Sequence, residues 1–258
     1  LASPGTTPRL PSLPRGTVLA DLRMMLTTHL MLSLLTTASA TTILYESFNN
    51  ASAFSMTNGD GAINFFSDGY HDYFGINAGV GASAFSGTSG LAQDDPPSGA
   101  PAYTGLNGAY LEAEDIDEEG FDGPFTLTWQ VSASCSDVLT FSSKFAEDGN
   151  AKIDTADYVK VKATLDGGTP ITILELRGND NDGYNGAFAV DGDGDGIGDA
   201  AGPTLTLAAQ TLSASIPGTL TSSLILEIVF LVQAGDEEIA FDDVTVDCVA
   251  VAPPPPVT

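Results

Sequence analysis

From residue 41 onward, apolar positions recur at every second residue and seldom at helical spacing. In 124–131 (PFTLTWQV), Phe125, Leu127 and Trp129 fall on one face. In 158–165, Val159, Val161, Ala163 and Leu165 alternate with Lys160, Lys162 and Thr164, the pattern of a strand with one buried and one wet face. The run SLILEIVFLV at 223–232 is almost wholly apolar, as a central strand requires. Further strands are predicted over 43–48, 138–145, 171–176, 205–216 and 238–246, and Gly167-Gly168 marks a hairpin turn between two of them. The stretch 49–108, rich in Gly, Ser, Asn and aromatics, predicts long loops with a few short strands. Many strands at regular spacing predict an all-β fold, an antiparallel β-sandwich of jelly-roll (galactose-binding or concanavalin-like) type.

The two ends depart from this pattern. Residues 24–40 (MMLTTHLMLSLLTTASA) follow Arg23 with a short apolar run and then Ala38-Ser39-Ala40, the small-residue motif of a signal peptide cleaved after Ala40. The run is too short for a membrane span, and no other segment is a candidate for one. Residues 1–23 read as an upstream or ragged segment outside the domain. Pro253 to Pro256 predict a stiff extended linker or tail over 252–258. The domain is therefore expected over 41–251, secreted, with a possible further module downstream in the same chain.

Charge narrows the functional classes. Eight Lys and Arg stand against 34 Asp and Glu, for a formal charge of −26 over 258 residues. Such a surface repels nucleic-acid phosphates and anionic membranes and attracts divalent cations, so no nucleic-acid partner is expected. Cys135 and Cys248 are the only cysteines. In an exported chain they are most simply one disulfide, closing a long loop; two buried free thiols are the alternative.

The sharpest motif is DGDGDGIGD at 191–199. Asp191, Asp193, Asp195 and Asp199, with the carbonyl of Ile197, match the first nine positions of an EF-hand-type loop. Calcium is a hard cation that takes six to eight oxygens, and alternate aspartates on a curled backbone supply them. Gly202 stands where the closing glutamate would be, so a missing ligand has to come from elsewhere, with Asp180, Asn181 and Asp182 in GNDNDG nearby; the bound ion would be Ca²⁺, and the alternative is a solvated acidic turn. A second acidic run, 112–119 (EAEDIDEE), lacks the glycine alternation and reads as a charged loop.

Catalysis finds no support. The acidic run lacks the Glu-x-Asp-x-x-Glu spacing of jelly-roll glucanases, and His71 has no nucleophile elbow to serve. The chain is therefore not expected to be an enzyme. Tyr70, His71 and Tyr73, within an aromatic cluster that includes Phe65, Phe66 and Phe74, are weaker candidates for stacking on a glycan or cell-surface ligand; the alternative is that these rings plug one end of the sandwich. Asn50-Ala51-Ser52 is a glycosylation sequon in a eukaryotic setting.

Five stretches, YESFNN, LTFSSKFAED, DTADYVKVKATLDGG, AVDGDGDGIGDA and DEEIAFDDVTV, together resemble a jelly-roll accessory domain of secreted multidomain proteins, mostly of marine bacteria. In those proteins it sits beside extracellular endonuclease/phosphatase-type, lamin-tail-like or adhesion domains. The resemblance covers roughly residues 43–248 and implies a non-catalytic, calcium-stabilised domain for carbohydrate or surface binding. It leaves open a purely structural calcium-stapled domain, or the accessory part of a secreted hydrolase or nuclease whose catalytic part lies downstream.

Overall fold

The alternation seen in the sequence produces thirteen strands among the residues that the computed structural model describes, which are 39–49, 54–58, 66–67, 73–77, 103–106, 108–116, 123–147, 153–180, 186–234 and 237–250. In chain order they are β1 (Ala40–Glu46), β2 (Phe54–Thr57), β3 (Phe66–Ser67), β4 (Tyr73–Asn77), β5 (Tyr110–Glu114), β6 (Phe125–Ser132) and β7 (Val138–Glu147), followed by β8 (Tyr158–Leu165), β9 (Ile171–Gly178), β10 (Phe188–Val190), β11 (Gln210–Ile216), β12 (Ser223–Leu231) and β13 (Glu238–Val249). No helix occurs among the described residues, and none there is long and apolar enough to cross a membrane.

Two antiparallel sheets form a sandwich of jelly-roll type. The first has the order β11-β7-β13-β5-β4-β3, with β1 also paired to β13; the second has the order β10-β9-β8-β12-β6-β2. The eight strands expected from periodicity are all present, the one expected over 205–216 being confined to β11. The short strands β2 to β5 and β10 add to them. Lys160 and Lys162 keep to the wet face of β8 while Val159, Val161 and Ala163 are fully buried. The apolar run of β12 is central, flanked by β8 and β6.

Aromatic rings join the sheets across the core. Phe74 meets Phe125 at 5.0 Å between centroids, Phe125 meets Phe230 at 6.2 Å, and Phe230 of the second sheet meets Phe241 of the first at 5.8 Å. Phe48 continues the path from Phe241 to Phe54, which lies against Trp129. Edge-to-face pairs of this kind each contribute about 0.5–1.5 kcal/mol beyond the area they bury. Cys135 and Cys248 are joined, with their Cα atoms 5.8 Å apart, so the segment entering β7 is tied to the end of β13 across 113 residues of sequence.

β13 changes phase midway. Ile239 and Phe241 face the core at odd positions, then Val244 and Val246 do so at even ones. One extra residue must therefore be absorbed. The pairing with β7 slips between Asp242 and Thr245, and Asp243 takes a left-handed φ of 52°. This β-bulge turns the Asp243 carboxylate onto the outer face of the first sheet.

The turn between β8 and β9 is a second anchor. Gly168 N–H donates to Leu165 O, and both central residues have positive φ, 51° at Asp166 and 72° at Gly167. The exposed Asp166 carboxylate accepts hydrogen bonds from the backbone of Thr221, Ser222 and Ser223 and from the hydroxyls of Thr221 and Ser222, at 2.7–3.0 Å. The backbone donors, Ser223 first, hold this carboxyl well below the usual carboxylate range. A folded-state pKa below the unfolded one contributes stability above the unfolded value, and that contribution is lost as pH falls. We expect Asp166→Asn to lower the thermal midpoint at pH 7 and to match the wild type progressively below about pH 4. Parallel melts at pH 7 and pH 3 with an unchanged gap would refute this role.

Candidate functional site

The loop between β10 and β11 curls because its aspartates recruit its own backbone. Asp191 accepts the N–H of Gly194 at Oδ1 (2.7 Å) and of Gly196 at Oδ2 (2.9 Å). Asp193 Oδ1 accepts from Asp195 N–H, and Asp195 Oδ1 accepts from Ile197 N–H. Gly194 and Gly196 have φ of 76° and 89° with open space where a Cβ would stand, so backbone conformation, not crowding, requires glycine at both. The rim is fixed to β9, where Asp191 N–H donates to Glu175 O and Gly198 N–H to Gly178 O.

One carboxylate oxygen from each of Asp191, Asp193 and Asp195 lies within 4.8 Å of the other two. Two oxygens on one calcium ion, each about 2.4 Å from it, stand no more than about 5 Å apart, so this spacing fits a shared hard cation. Asp191 is buried and the other two are exposed, which leaves one side of the group open to solvent. Asp199 has a different position, with its Oδ2 accepting Gly192 N–H at 2.9 Å across the neck of the loop. Ile197 engages the loop through its N–H. Asp180 lies just beyond β9 and is not among the three converging groups, and Asp182 lies outside the described residues. Tyr70 and His71 also lie outside them; the backbone of Tyr73 opens β4.

The acidic run at 112–119 is not simply a charged loop. Glu112 and Glu114 belong to β5 and are buried, Glu114 pairing in register with the equally buried Glu238. They share the outer face of the first sheet with Tyr110, which packs with Tyr103, Ala146 and Ala240, and Tyr103 donates its hydroxyl to Glu238 Oε2. Burial, then the charges of Glu112 and Glu238, push the Tyr110 phenol far above its ordinary value. Carboxylates also gather elsewhere, where Asp154, Asp157 and Glu237 bring one oxygen each within 4.8 Å. Burial is the main cause that raises both the Asp157 and the Glu237 carboxyl.

The other half of that outer face is open, and sequence reasoning missed it. Register places Ser213 of β11, Ser142 of β7, Thr245 of β13 and Tyr45 of β1 in one row. Tyr45 is 60% exposed, the one aromatic side chain among the exposed large apolar residues of the described part. Its hydroxyl donates to Asp243 Oδ1 (2.7 Å), and Lys144 Nζ pairs with Asp243 Oδ2 (2.9 Å). Burial opposes the Asp243 charge, but Lys144 and the Tyr45 hydroxyl outweigh it and hold the carboxyl below its ordinary value. The hydrogen bond to Asp243 is foremost in raising the Tyr45 phenol. Together these residues line an open pocket of about 290 Å³ whose walls are otherwise Ser and Thr side chains. The signal for it lay in EIAFDDVTV, where the apolar phase changes at the two aspartates.

No family model matches the chain, and no curated protein does. Among solved structures, the K3 cleaved adhesin domain of Lys-gingipain from Porphyromonas gingivalis is similar at 13% identity and TM-score 0.41, over 80% of this chain and 99% of that one. The TmCBM61 module in complex with β-1,4-galactotriose is similar at 10% identity and TM-score 0.42, over 80% and 97%. The CBM22-1 xylan-binding domain of Paenibacillus barcinonensis Xyn10C is similar at 12% identity and TM-score 0.36, over 84% and 99%.

Proposed function

We propose that this chain carries a non-catalytic, calcium-stabilised extracellular module that binds a neutral carbohydrate on the outer face of its first sheet. The observation that carries the reading is Tyr45, an exposed ring held in place by Asp243 beside a row of hydroxyl side chains. A ring face excludes water from the apolar face of a sugar, while hydroxyl and amide groups around it meet the sugar hydroxyls. Lys144 spends its charge on Asp243 and is not left for an anionic sugar. With a formal charge of −26 on the chain, acidic glycans are repelled, which is why a neutral polysaccharide is the expected class.

The disulfide supports an oxidising, extracellular setting. The aspartate loop supports calcium as a structural ion that steadies the β10–β11 connection. No catalytic role is assigned, because among the described residues the pocket around Tyr45 holds a single carboxylate, Asp243, and it is already committed to two partners.

Affinity electrophoresis of the chain through gels containing soluble neutral polysaccharides, xylan and β-1,4-galactan among them, tests the reading. Retardation by at least one is expected. Tyr45→Ala should weaken it about tenfold, the loss of about 1.4 kcal/mol, with the thermal midpoint nearly unchanged. Tyr45→Phe, which keeps the ring, should retain most of the binding. Equal retardation of wild type and Tyr45→Ala would move the ligand away from this face, and no retardation across the panel would favour a purely structural domain.

A further inference from the structure

Three carboxylates from two segments far apart in sequence meet where the chain enters β8 and β13. Asp154 and Asp157 precede Tyr158, the first residue of β8 in the second sheet; Glu237 precedes Glu238, the first residue of β13 in the first sheet. One oxygen from each lies within 4.8 Å of the others. Asp157 is fully buried and Glu237 is 4% exposed.

Each carboxylate is held from behind by the backbone. Asp157 Oδ2 accepts Asp154 N–H (2.8 Å), Asp154 Oδ1 accepts Ala156 N–H (2.6 Å), and Glu237 Oε2 accepts Gln233 N–H (2.8 Å). These bonds orient the groups without neutralising them. No ion pair to a described lysine or arginine reaches any of the three. The remaining oxygen of Asp157, Oδ1, is buried and receives no N–H, and the one side chain that hydrogen-bonds this carboxyl is another acid, Glu237. An unpaired buried carboxylate oxygen costs several kcal/mol by usual reckoning, and like charges beside it add to that. The folded chain nonetheless closes over it. At the back of the group, Gly178 lets the Asp154 backbone approach so closely that a Cβ there would stand 2.0 Å from Asp154 O.

We propose that Asp154, Asp157 and Glu237 form a second calcium site, separate from the aspartate loop, that pins the entry of β8 to the entry of β13 and so fastens one sheet to the other. The chemistry is that of a hard divalent cation. Three carboxylates converge without a competing ammonium or guanidinium, one of them with a buried oxygen that no N–H satisfies, and a bound ion would supply the missing countercharge. The two sites lie on either side of the end of β9. Gly178 accepts Gly198 N–H from the aspartate loop through its carbonyl, while its Cα faces the backbone of Asp154.

The test is calcium binding by flow dialysis on the full chain, in about 0.15 M KCl to screen the diffuse negative charge. Four forms are compared: wild type, Asp193→Ala with Asp195→Ala, Asp157→Asn with Glu237→Gln, and all four substitutions together. The Asp157/Glu237 change should remove one tightly bound calcium per chain both in the wild type and in the chain lacking the loop ligands. It should also invert its effect on stability. In chelator, neutral amides relieve repulsion and raise the thermal midpoint above wild type; in calcium, the wild type overtakes. Should the double variant fail to fold, Asp154→Asn, at a half-buried position, is expected to weaken the same calcium at least tenfold. An unchanged calcium count in a variant that melts cooperatively overturns the proposal, as does a midpoint difference that calcium leaves alone, which would mark a proton shared between two acids. Loss of binding only in the Asp193/Asp195 form would leave the loop site standing and this one refuted.

Discussion

Replacing Cys135 and Cys248 by alanine should lower the thermal midpoint by roughly 10–20 °C. The bridge closes 113 residues of sequence. On the loop-closure relation, a loop of that size removes unfolded-chain entropy worth about 5 kcal/mol, and one kcal/mol shifts the midpoint of a 150–250-residue domain by about 2–4 °C. The bond also acts locally. Cys248 sits in register with Leu139 of β7 on one side and Thr41 of β1 on the other, so it guards the end of the strand to which both neighbours are laced. Melts of the wild type with and without reductant, beside the double alanine variant, measure the effect. A shift under about 3 °C would mean that the unfolded chain is already compact enough to make the bridge redundant.

The second large effect is expected from calcium at the aspartate loop. A ligand that binds only the folded state stabilises by RT ln(1 + [L]/Kd), about 2.7 kcal/mol at one hundred times Kd, or about 5–10 °C for a domain of this size. Loops of this kind in extracellular modules hold calcium with Kd of about 0.1–1 mM, so about 10 mM calcium is about 10–100 times Kd and the rise over excess chelator is about 3–10 °C. Asp193→Ala with Asp195→Ala should reduce the calcium-dependent rise by that amount, because it leaves Asp191 alone of the three converging groups. It should cost little in chelator, since both side chains are exposed and repel each other there. An identical calcium response in wild type and variant would place the stabilising ion elsewhere.

What the sequence disclosed and what it withheld follow from the range of the interactions involved. The long strands were legible because alternation is local: Val159, Val161 and Ala163 face inward regardless of what lies beyond them. The aspartate loop was legible for the same reason, since Asp191, Asp193 and Asp195 bond to amides two to five residues away. Strand β5 was not. Its sequence YLEAE alternates correctly, but charge at Glu112 and Glu114 argues for solvent, and only the packing of Tyr103 and Tyr110 on that face buries them. Tyr45 was equally opaque, because a tyrosine at one parity of a strand suits either face until its neighbours are known. The Asp154, Asp157 and Glu237 group is formed by two segments that meet only when the sheets pack. Asp243 lies between these cases: the phase change from Ile239 and Phe241 to Val244 and Val246 demanded a bulge, yet Lys144 and Tyr45 come to it from other strands.

The pairing of the first and last strands has a mechanical consequence. Ala40 lies opposite Val249, and Ala250 N–H donates to Ser39 O, so residues 39 and 250 stand side by side at one end of the ladder. Tension between them loads the β1–β13 ladder from its open end, one pair at a time, the geometry in which strands peel instead of shearing. The load on the C-terminal side then passes at Cys248 through the covalent bridge to Cys135. Everything between those cysteines, the aspartate loop and both faces of the β9 terminus included, stands outside the line of force. Only the part ahead of Cys135 can be drawn out, and β1, which carries Tyr45, goes first. A module tethered at both ends would thus give up the strand that carries Tyr45 under strain well before it lost its fold.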